Sequence, residues 1–238
     1  MILDKKTAVV TGAGKGLGAA IAAALVRKGA TVYGIARNAD ALGELKNKLG
    51  DLFHPVRLDI TRHDEIGKWV SDTFSEENSP DILVNNAGVG SFSKIDETPT
   101  ETWLDMMNTN LNSTFFITSQ ISKLMKKKKT VSHIINIGSI LGQVGKAEST
   151  AYCATKFGLK GFSEALYLEL RFFGIKVTCL SPGSIETDFF KSSGIHAHSN
   201  MLHPQDLADT VIHVLETPDN MLINELAIRP LNPRSPEK

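Results

Sequence analysis

Cysteine is almost missing from the chain, with two in 238 residues, Cys153 and Cys179. Neither has metal-ligand spacing, and two cannot build a disulfide framework, so both read as buried structural thiols. Charge of either sign is not in excess, because 26 basic and 26 acidic side chains cancel to a formal net charge of zero. Nucleic-acid binders neutralise phosphates with surplus Lys and Arg, so this balance excludes a broad electrostatic surface for DNA or RNA and leaves only local sites. Long hydrophobic runs are missing too. No stretch approaches the roughly 18 apolar residues that span a bilayer, and residues 1–6 lack the apolar core of a signal peptide. The expectation is a cytoplasmic protein with no membrane partner. What remains, 42% hydrophobic and 22% charged residues, is an ordinary globular composition, and the length suits one large α/β domain or two small ones.

Short β-branched or apolar runs alternate with longer helical stretches. Strands are predicted at 7–11, 31–36, 56–58, 81–85, 133–138, 176–181 and 223–228, and helices at 16–28, 39–49, 64–76, 100–126, 149–173 and 204–216. Strand–helix alternation predicts a doubly wound parallel sheet of seven strands, a Rossmann fold with helices on both faces, because right-handed crossovers place them there. No linker or internal repeat interrupts it, so 1–238 reads as a single domain. The one charge block, four lysines at 126–129, reads as a solvated helix end that complements the helix dipole.

Thr11-Gly12-Ala13-Gly14-Lys15-Gly16-Leu17-Gly18 follows the first strand and opens the first helix, the setting of a phosphate-binding turn. Gly12 permits the sharp exit from the strand, Gly16 lets a pyrophosphate approach the backbone, and Gly18 lets the helix pack closely. The spacing is T-G-x-x-x-G-x-G; it is not strict G-x-G-x-x-G, nor the nucleoside-triphosphate loop. A carboxylate at the end of the second strand would bond a ribose 2′-hydroxyl, whereas a cation there accommodates a 2′-phosphate. The strand ends Ala36-Arg37-Asn38, with no carboxylate, and Lys15 projects toward the same pocket. This pair predicts NADP(H) over NAD(H).

Ser139 ends the fifth strand, at the carboxyl edge where ligands bind in open α/β sheets. Tyr152 and Lys156, four residues apart, share one helix face. A phenol with an ordinary pKa near 10 needs a neighbouring positive charge to act as a base near neutrality, and Lys156 is placed to supply it. With Ser139 bonding the substrate oxygen, the trio would polarise a carbonyl and deliver a proton as hydride arrives.

With residues 11–18, Asn85-Asn86-Ala87-Gly88, Asn110, Ser139, Tyr152, Lys156 and Pro182-Gly183 in this order, the sequence resembles the short-chain dehydrogenase/reductase family in its short single-domain form, along essentially the whole chain. A lone Tyr-x-x-x-Lys means little; the ordered set carries the resemblance. It implies Asn110, Ser139, Tyr152 and Lys156 as the catalytic residues, with Asn110 holding a water in a proton relay from Lys156. It implies a cofactor site that includes Gly12, Gly14, Lys15, Gly16, Leu17 and Gly18 in the first turn and Arg37 and Asn38 after the second strand. Asp59 would bond the adenine amine beside Ile60, and Asn86, Ala87 and Gly88 would lie beside the adenosine ribose, with Asn85 bracing the sheet. Tyr152 and Lys156 also face the cofactor, and Pro182, Gly183, Ile185 and Thr187 would fix the nicotinamide carboxamide. A homodimer or homotetramer formed through the two long helices is implied as well.

Substrate identity is less marked. The expected lid, 188–202, is short, with Phe189, Phe190, Ile195 and Met201 as its apolar members, which suits small to medium carbonyl or alcohol substrates, or an acyl chain entering from solvent. The tail 223–230 lacks the glycines common in reductases of 3-oxoacyl-carrier-protein and looks more like carbonyl reductases, sepiapterin-type reductases and dehydrogenases of 3-hydroxy acids such as serine. His196, His198 and His203 lack acidic or Cys ligands at helpful spacing, so no metal site is expected. Trp103, Phe115 and Phe116 read as core or subunit interface, and Glu148 as a complement to a helix N-terminus. A different class, a binding protein that senses NADPH without turnover, would have no need of a complete proton relay.

Overall fold

The computed structural model describes residues 1–187, 189 and 197–235. Apolar β-branched runs form strands buried on both faces, the pattern of a parallel sheet covered by helices. The elements alternate in chain order: β1 (Thr7–Thr11), α1 (Gly16–Arg27), β2 (Thr31–Ala36), α2 (Ala39–Leu49), β3 (Phe53–Arg57), α3 (His63–Thr73) and β4 (Ile82–Asn85). Then come α4 (Thr100–Met107), α5 (Ser113–Met125), β5 (Ser132–Ile137), α6 (Thr150–Leu170), β6 (Ile175–Pro182), α7 (Pro204–Leu215) and β7 (Glu225–Ile228). The seven strands lie in the order β3-β2-β1-β4-β5-β6-β7, every pairing parallel. The predicted doubly wound sheet is therefore the observed one.

Two apolar layers hold it. Leu17, Ile21 and Leu25 of α1 and Leu207, Val211 and Leu215 of α7 pack on one face with Val10 and Val84, while Ile66, Ile117, Ile121 and Leu166 cover the other with Val9, Leu83 and Ile134. Alternate strand residues serve opposite layers, as the period of two requires. Each fully buried Val, Leu or Ile contributes about 1.5–3 kcal/mol relative to exposure.

Among the departures from expectation, three have a physical reason. The third strand spans Phe53–Arg57 rather than 56–58 and contains Pro55; it lies at the sheet edge, where a missing N–H is tolerated. The region 100–126 is not one helix: a π turn at Asn108–Asn112 separates α4 from α5. The lysine run is not wholly solvated, because Lys128 pairs with the buried Asp81 at 2.8 Å and donates to the Ser79 carbonyl. Among the described residues no helix is long and apolar enough to cross a membrane.

The winding direction reverses between β1 and β4, and the crevice of such a sheet opens there, at the carboxyl ends of the strands. Thr11 ties the two ends together: its hydroxyl oxygen accepts the N–H groups of Asn86 (3.0 Å) and Ala87 (3.1 Å).

Candidate active site

The glycine turn lies at this crevice. Gly12 and Gly16 have φ of 67° and 56°, left-handed values that favour glycine. A Cβ on Gly18 would fall 2.5 Å from Asn86 Nδ2 and closer still to the Gly12 carbonyl oxygen, so this position must be glycine for α1 to meet the turn. Asn86 in turn donates from Nδ2 to the Thr11 carbonyl at 2.9 Å. Gly14 lies against Ala36, and Gly16 against Thr187 beyond β6, so the turn reaches both the second strand and the 183–187 segment. Leu17 points its side chain into the apolar layer, which leaves its backbone amide, among the first of α1, for an anion.

Lys15, the N-cap of α1, and Arg37, just after β2, are exposed, and among the described residues neither enters an ion pair. Asn38 is engaged as the N-cap of α2, accepting the Ala41 N–H at 3.1 Å. Asp59 accepts the N–H (3.0 Å) and hydroxyl (2.8 Å) of Thr61. Burial pushes its carboxyl up, but the Thr61 bonds and the charges of Arg37 and Arg62 together hold it below its ordinary value. Ile60 is buried beside it.

Asn85, expected to brace the sheet, donates from Nδ2 to Asn136 Oδ1 (2.8 Å) and Thr118 Oγ1 (3.0 Å), and Asn136 donates onward to Ser163 (2.8 Å). Asn110 lies in the π turn and is buried. Its Oδ1 accepts the Val89 N–H at 2.8 Å, while Nδ2 donates to the Val89 carbonyl (2.8 Å) and the Thr155 hydroxyl (3.1 Å). Both amide hydrogens are thus committed to positioning the backbone after β4 against α6. Thr155 itself donates to the Tyr152 carbonyl; no spacing in the sequence marked it. Gly88 stands between these groups, its Cβ position 3.3 Å from Asn110 Oδ1 and 3.9 Å from Lys156 Nζ.

Ser139, Tyr152 and Lys156 meet at the end of β5, all buried. The Ser139 hydroxyl accepts the Leu141 N–H at 3.1 Å and favours the charged form of the Tyr152 phenol. Lys156 Nζ donates to the Ile137 carbonyl at 2.9 Å and lies 5.7 Å from the Tyr152 ring centroid. Gly142 lets the turn after Ser139 press on α6, its Cβ position 2.6 Å from the Lys156 carbonyl oxygen. The expectation that Lys156 favours the phenolate meets a stronger effect. Burial pushes Tyr152 up to about 12, partly offset by the Ser139 hydroxyl, and burial pushes Lys156 down to about 8. At neutral pH the phenol keeps its proton.

Beyond β6, Pro182 is buried and Gly183 donates its N–H to the Ile228 carbonyl at 2.7 Å; a Cβ there would meet Pro230. Ile185 bridges to Leu202, and Thr187 donates its N–H to the Ile185 carbonyl at 2.8 Å. Of the expected lid, Asp188 and 190–196, which include Phe190, Ile195 and His196, lie outside the described residues. Phe189 is described, and its ring meets Tyr152 at 5.9 Å between centroids. Phe92 flanks the same phenol at 5.4 Å; the sequence held no motif pointing to it. Trp103 packs in this cluster, Phe116 packs on the sheet-facing layer, and Phe115 is exposed. His203 pairs with Glu186, and among the described residues no group of His, Cys, Asp or Glu gathers to hold a metal. Cys153 and Cys179 are free and buried.

The residues suit a dinucleotide phosphate. The turn is a cradle that a Cβ would fill, it lies where α1 begins, and the exposed cations Lys15 and Arg37 stand in the turn and just after β2. Comparison with known proteins agrees in kind. An uncharacterized oxidoreductase of Staphylococcus aureus (strain MRSA252) is 34% identical over 231 residues, covering 97% of this chain and 99% of that one. Dehydrogenase/reductase SDR family member 11 of Bos taurus is 34% identical over 94% of this chain and 96% of its own. Among solved structures, a closed serine dehydrogenase complexed with NADP+ superposes with a TM-score of 0.87 at 31% identity, covering 93% of both chains. A metagenomic short-chain oxidoreductase in complex with NADP gives 0.85 at 30% identity, covering 98% of this chain and 100% of the other. The short chain dehydrogenase family model matches residues 6–197. That match runs through the glycine turn, the π turn and the Ser139–Tyr152–Lys156 cluster, and the chain belongs to the short-chain dehydrogenase/reductase family of oxidoreductases.

Proposed function

We propose that the protein is an NADP(H)-dependent reductase or alcohol dehydrogenase that moves hydride between nicotinamide and a carbonyl or secondary alcohol, with Tyr152 as acid and base. The observation that carries this reading is the buried gathering of Ser139, Tyr152 and Lys156 at the carboxyl edge of the sheet, with Lys156 Nζ 5.7 Å from the Tyr152 ring centroid. Bound NADP(H) would supply or accept the hydride. The chain's own residues do the rest. A phenol that keeps its proton at neutral pH is the form that donates to a carbonyl oxygen gaining negative charge. Ser139 shares that oxygen and holds it within reach. Lys156, anchored on Ile137, returns a proton to the phenol from the solvent side, and Asn110 fixes the Val89 backbone that borders the path.

Cofactor preference follows from Lys15 and Arg37, with Ala36 offering no carboxylate, and the NADP complexes of the structural relatives support it. A Tyr152→Phe variant is expected to bind NADPH as the parent does and to lose about 10²–10⁴-fold in turnover; unchanged turnover would refute the assigned acid. Dissociation constants for NADPH and NADH in the parent and in Arg37→Asp test the phosphate role. The parent is expected to favour NADPH and the variant to reverse that order, whereas equal affinities in the parent would refute it.

A second reading, oxidation of a 3-hydroxy acid, is favoured by the likeness to serine dehydrogenases; NADP+ reduction with serine and related hydroxy acids tests it. Residues 1–238 act as one domain in this proposal, with 188–202 as the substrate lid. Exposed Leu104, Phe115 and Phe157 on α4, α5 and α6 suit a homodimer or homotetramer paired through these helices; a monomeric mass by light scattering would refute that pairing.

A further inference from the structure

We infer that Glu225, at the start of the last strand, is a positioning residue for the reaction: it pins the turn that carries Ser139 to the helix that carries Tyr152 and Lys156. This rests on the redox reading above and adds to it a residue outside every motif in the sequence. Its carboxylate oxygen Oε1 accepts from Gln143 Nε2 at 2.6 Å and pairs with Lys160 Nζ at 3.0 Å. Gln143 closes the short turn Ile140–Gly142 that begins at Ser139. Lys160 follows Lys156 by four residues in α6, one helical turn on and on the same side. A single group of β7 thus touches both elements that bring the cluster together.

The turn has few other holds. Its backbone bonds are internal: the Gly142 N–H donates to the Ser139 carbonyl at 2.9 Å, and the Gln143 and Val144 N–H groups donate to the Ile140 carbonyl at 3.0 and 3.1 Å. Among the described residues, the bond from Gln143 to Glu225 is the only hydrogen bond that joins residues 140–148 to a distant element, and 144–148 are exposed. The seat of Glu225 is itself fixed. It pairs in register with Cys179 of β6, whose N–H donates to the Asn224 carbonyl at 2.9 Å. The Cys179 sulfur in turn lies 3.1 Å from the Cβ position of Gly138, the residue between Ser139 and Ile137, whose carbonyl anchors Lys156. Ser139 rides on a strand end and Tyr152 on a helix, yet both must meet one substrate oxygen, and a misplacement of about 1 Å costs about 100-fold in rate. The Glu225 and Lys160 side chains are each 36% exposed, and ion pairs that open to solvent add little to stability. What Glu225 supplies is therefore the angle between turn and helix, not strength of fold.

The experiment measures kcat and the cofactor KM, for NADPH with propanal, butanone and 3-oxobutanoate and for NADP+ with serine, in the parent, Glu225→Ala, Glu225→Gln, Gln143→Glu and the double variant Gln143→Glu with Glu225→Gln. Glu225→Ala is expected to lose about tenfold in kcat, as a misalignment of under about 1 Å implies, with KM for NADPH unchanged. Its melting temperature is expected to stay within about 3 °C of the parent. Glu225→Gln keeps an acceptor for Gln143 and is expected to retain most of kcat. Gln143→Glu sets two carboxylates against each other and is expected to fall as far as Glu225→Ala, while the double variant, with amide and carboxylate exchanged, recovers. Amide hydrogen exchange gives a readout without turnover: residues 140–148 are expected to exchange faster in Glu225→Ala while β1 and α1 keep the parent rates. A Glu225→Ala protein with the parent's kcat, a loss that appears in KM for NADPH instead, unchanged exchange at 140–148, or no recovery in the double variant overturns the positioning role while Tyr152-dependent turnover upholds the redox reading. Absence of turnover on every compound despite NADPH binding overturns both.

Discussion

Replacing Gly18 by alanine tests the cradle at its tightest point. The added methyl would fall 2.5 Å from Asn86 Nδ2 and nearer to the Gly12 carbonyl oxygen, against about 3.5–4.0 Å for ordinary contact. Neither neighbour is the free end of a flexible chain. The carbonyl belongs to the turn backbone, and the amide is held to the Thr11 carbonyl at 2.9 Å and the Gly12 carbonyl at 3.4 Å. Overpacking of this kind costs about 1–3 kcal/mol, and one weakened buried hydrogen bond adds about 1 kcal/mol. For a chain of this size about 2–4 °C of melting temperature corresponds to each kcal/mol, so Gly18→Ala is expected to melt about 10 °C below the parent. Affinity for NADPH should fall with it, because Asn86 and the turn move apart. Gly43 in α2 is the control, since nothing lies within 4 Å of its Cβ position; alanine there is expected to stabilise by about 0.5–1 kcal/mol. Scanning calorimetry with and without NADPH gives both numbers. A Gly18→Ala protein that melts within 1–2 °C of the parent and binds NADPH normally would refute the close approach.

Two further outcomes are expected. The Lys156 amine is held at about 8 in the fold against an ordinary 10.5, so between these values the unfolded chain binds the extra proton and stability rises with pH. Relative to Lys156→Met, the parent should therefore gain stability from pH 8 to pH 10 in urea titrations; a flat difference would count against the burial of the amine. Tyr152, raised to about 12, works the opposite way only above pH 10. Asn136→Ala leaves the Asn85 amide and the Ser163 hydroxyl each short of a partner in a fully buried place and is expected to cost about 2–4 kcal/mol. A loss below 1 kcal/mol by denaturant unfolding would show that the network carries little.

The sheet was legible because its signals are local. Ala8–Val10, Ile82–Val84 and Ile134–Ile135 are apolar runs bounded by polar residues, and their order with the helices admits few topologies. Ser139, Tyr152 and Lys156 were legible as residue types at set spacings. What was not legible depends on distant approach. Gly90 reads as an ordinary loop glycine until Phe189, far along the chain, comes to lie on it. Thr155 reads as a neutral helix residue until Asn110 reaches it from another element. The opposing pKa shifts of Tyr152 and Lys156 likewise come from burial, which a motif does not record.

The π turn at Asn108–Asn112 also sets the rotational phase of everything after it. Met106 and Ile117 are eleven residues apart, about three turns, so in an uninterrupted α-helix they would point the same way. The additional residue of a π turn advances the second segment by about 100°. Met106 accordingly packs with Tyr152, while Ile117 and Ile121 pack on the sheet. Removing one residue from 108–112 would rewind the turn to α geometry and swing the Ile117–Ile121–Met125 stripe a quarter turn off the strands, so a single-residue deletion there acts on the hydrophobic layer and the catalytic edge together.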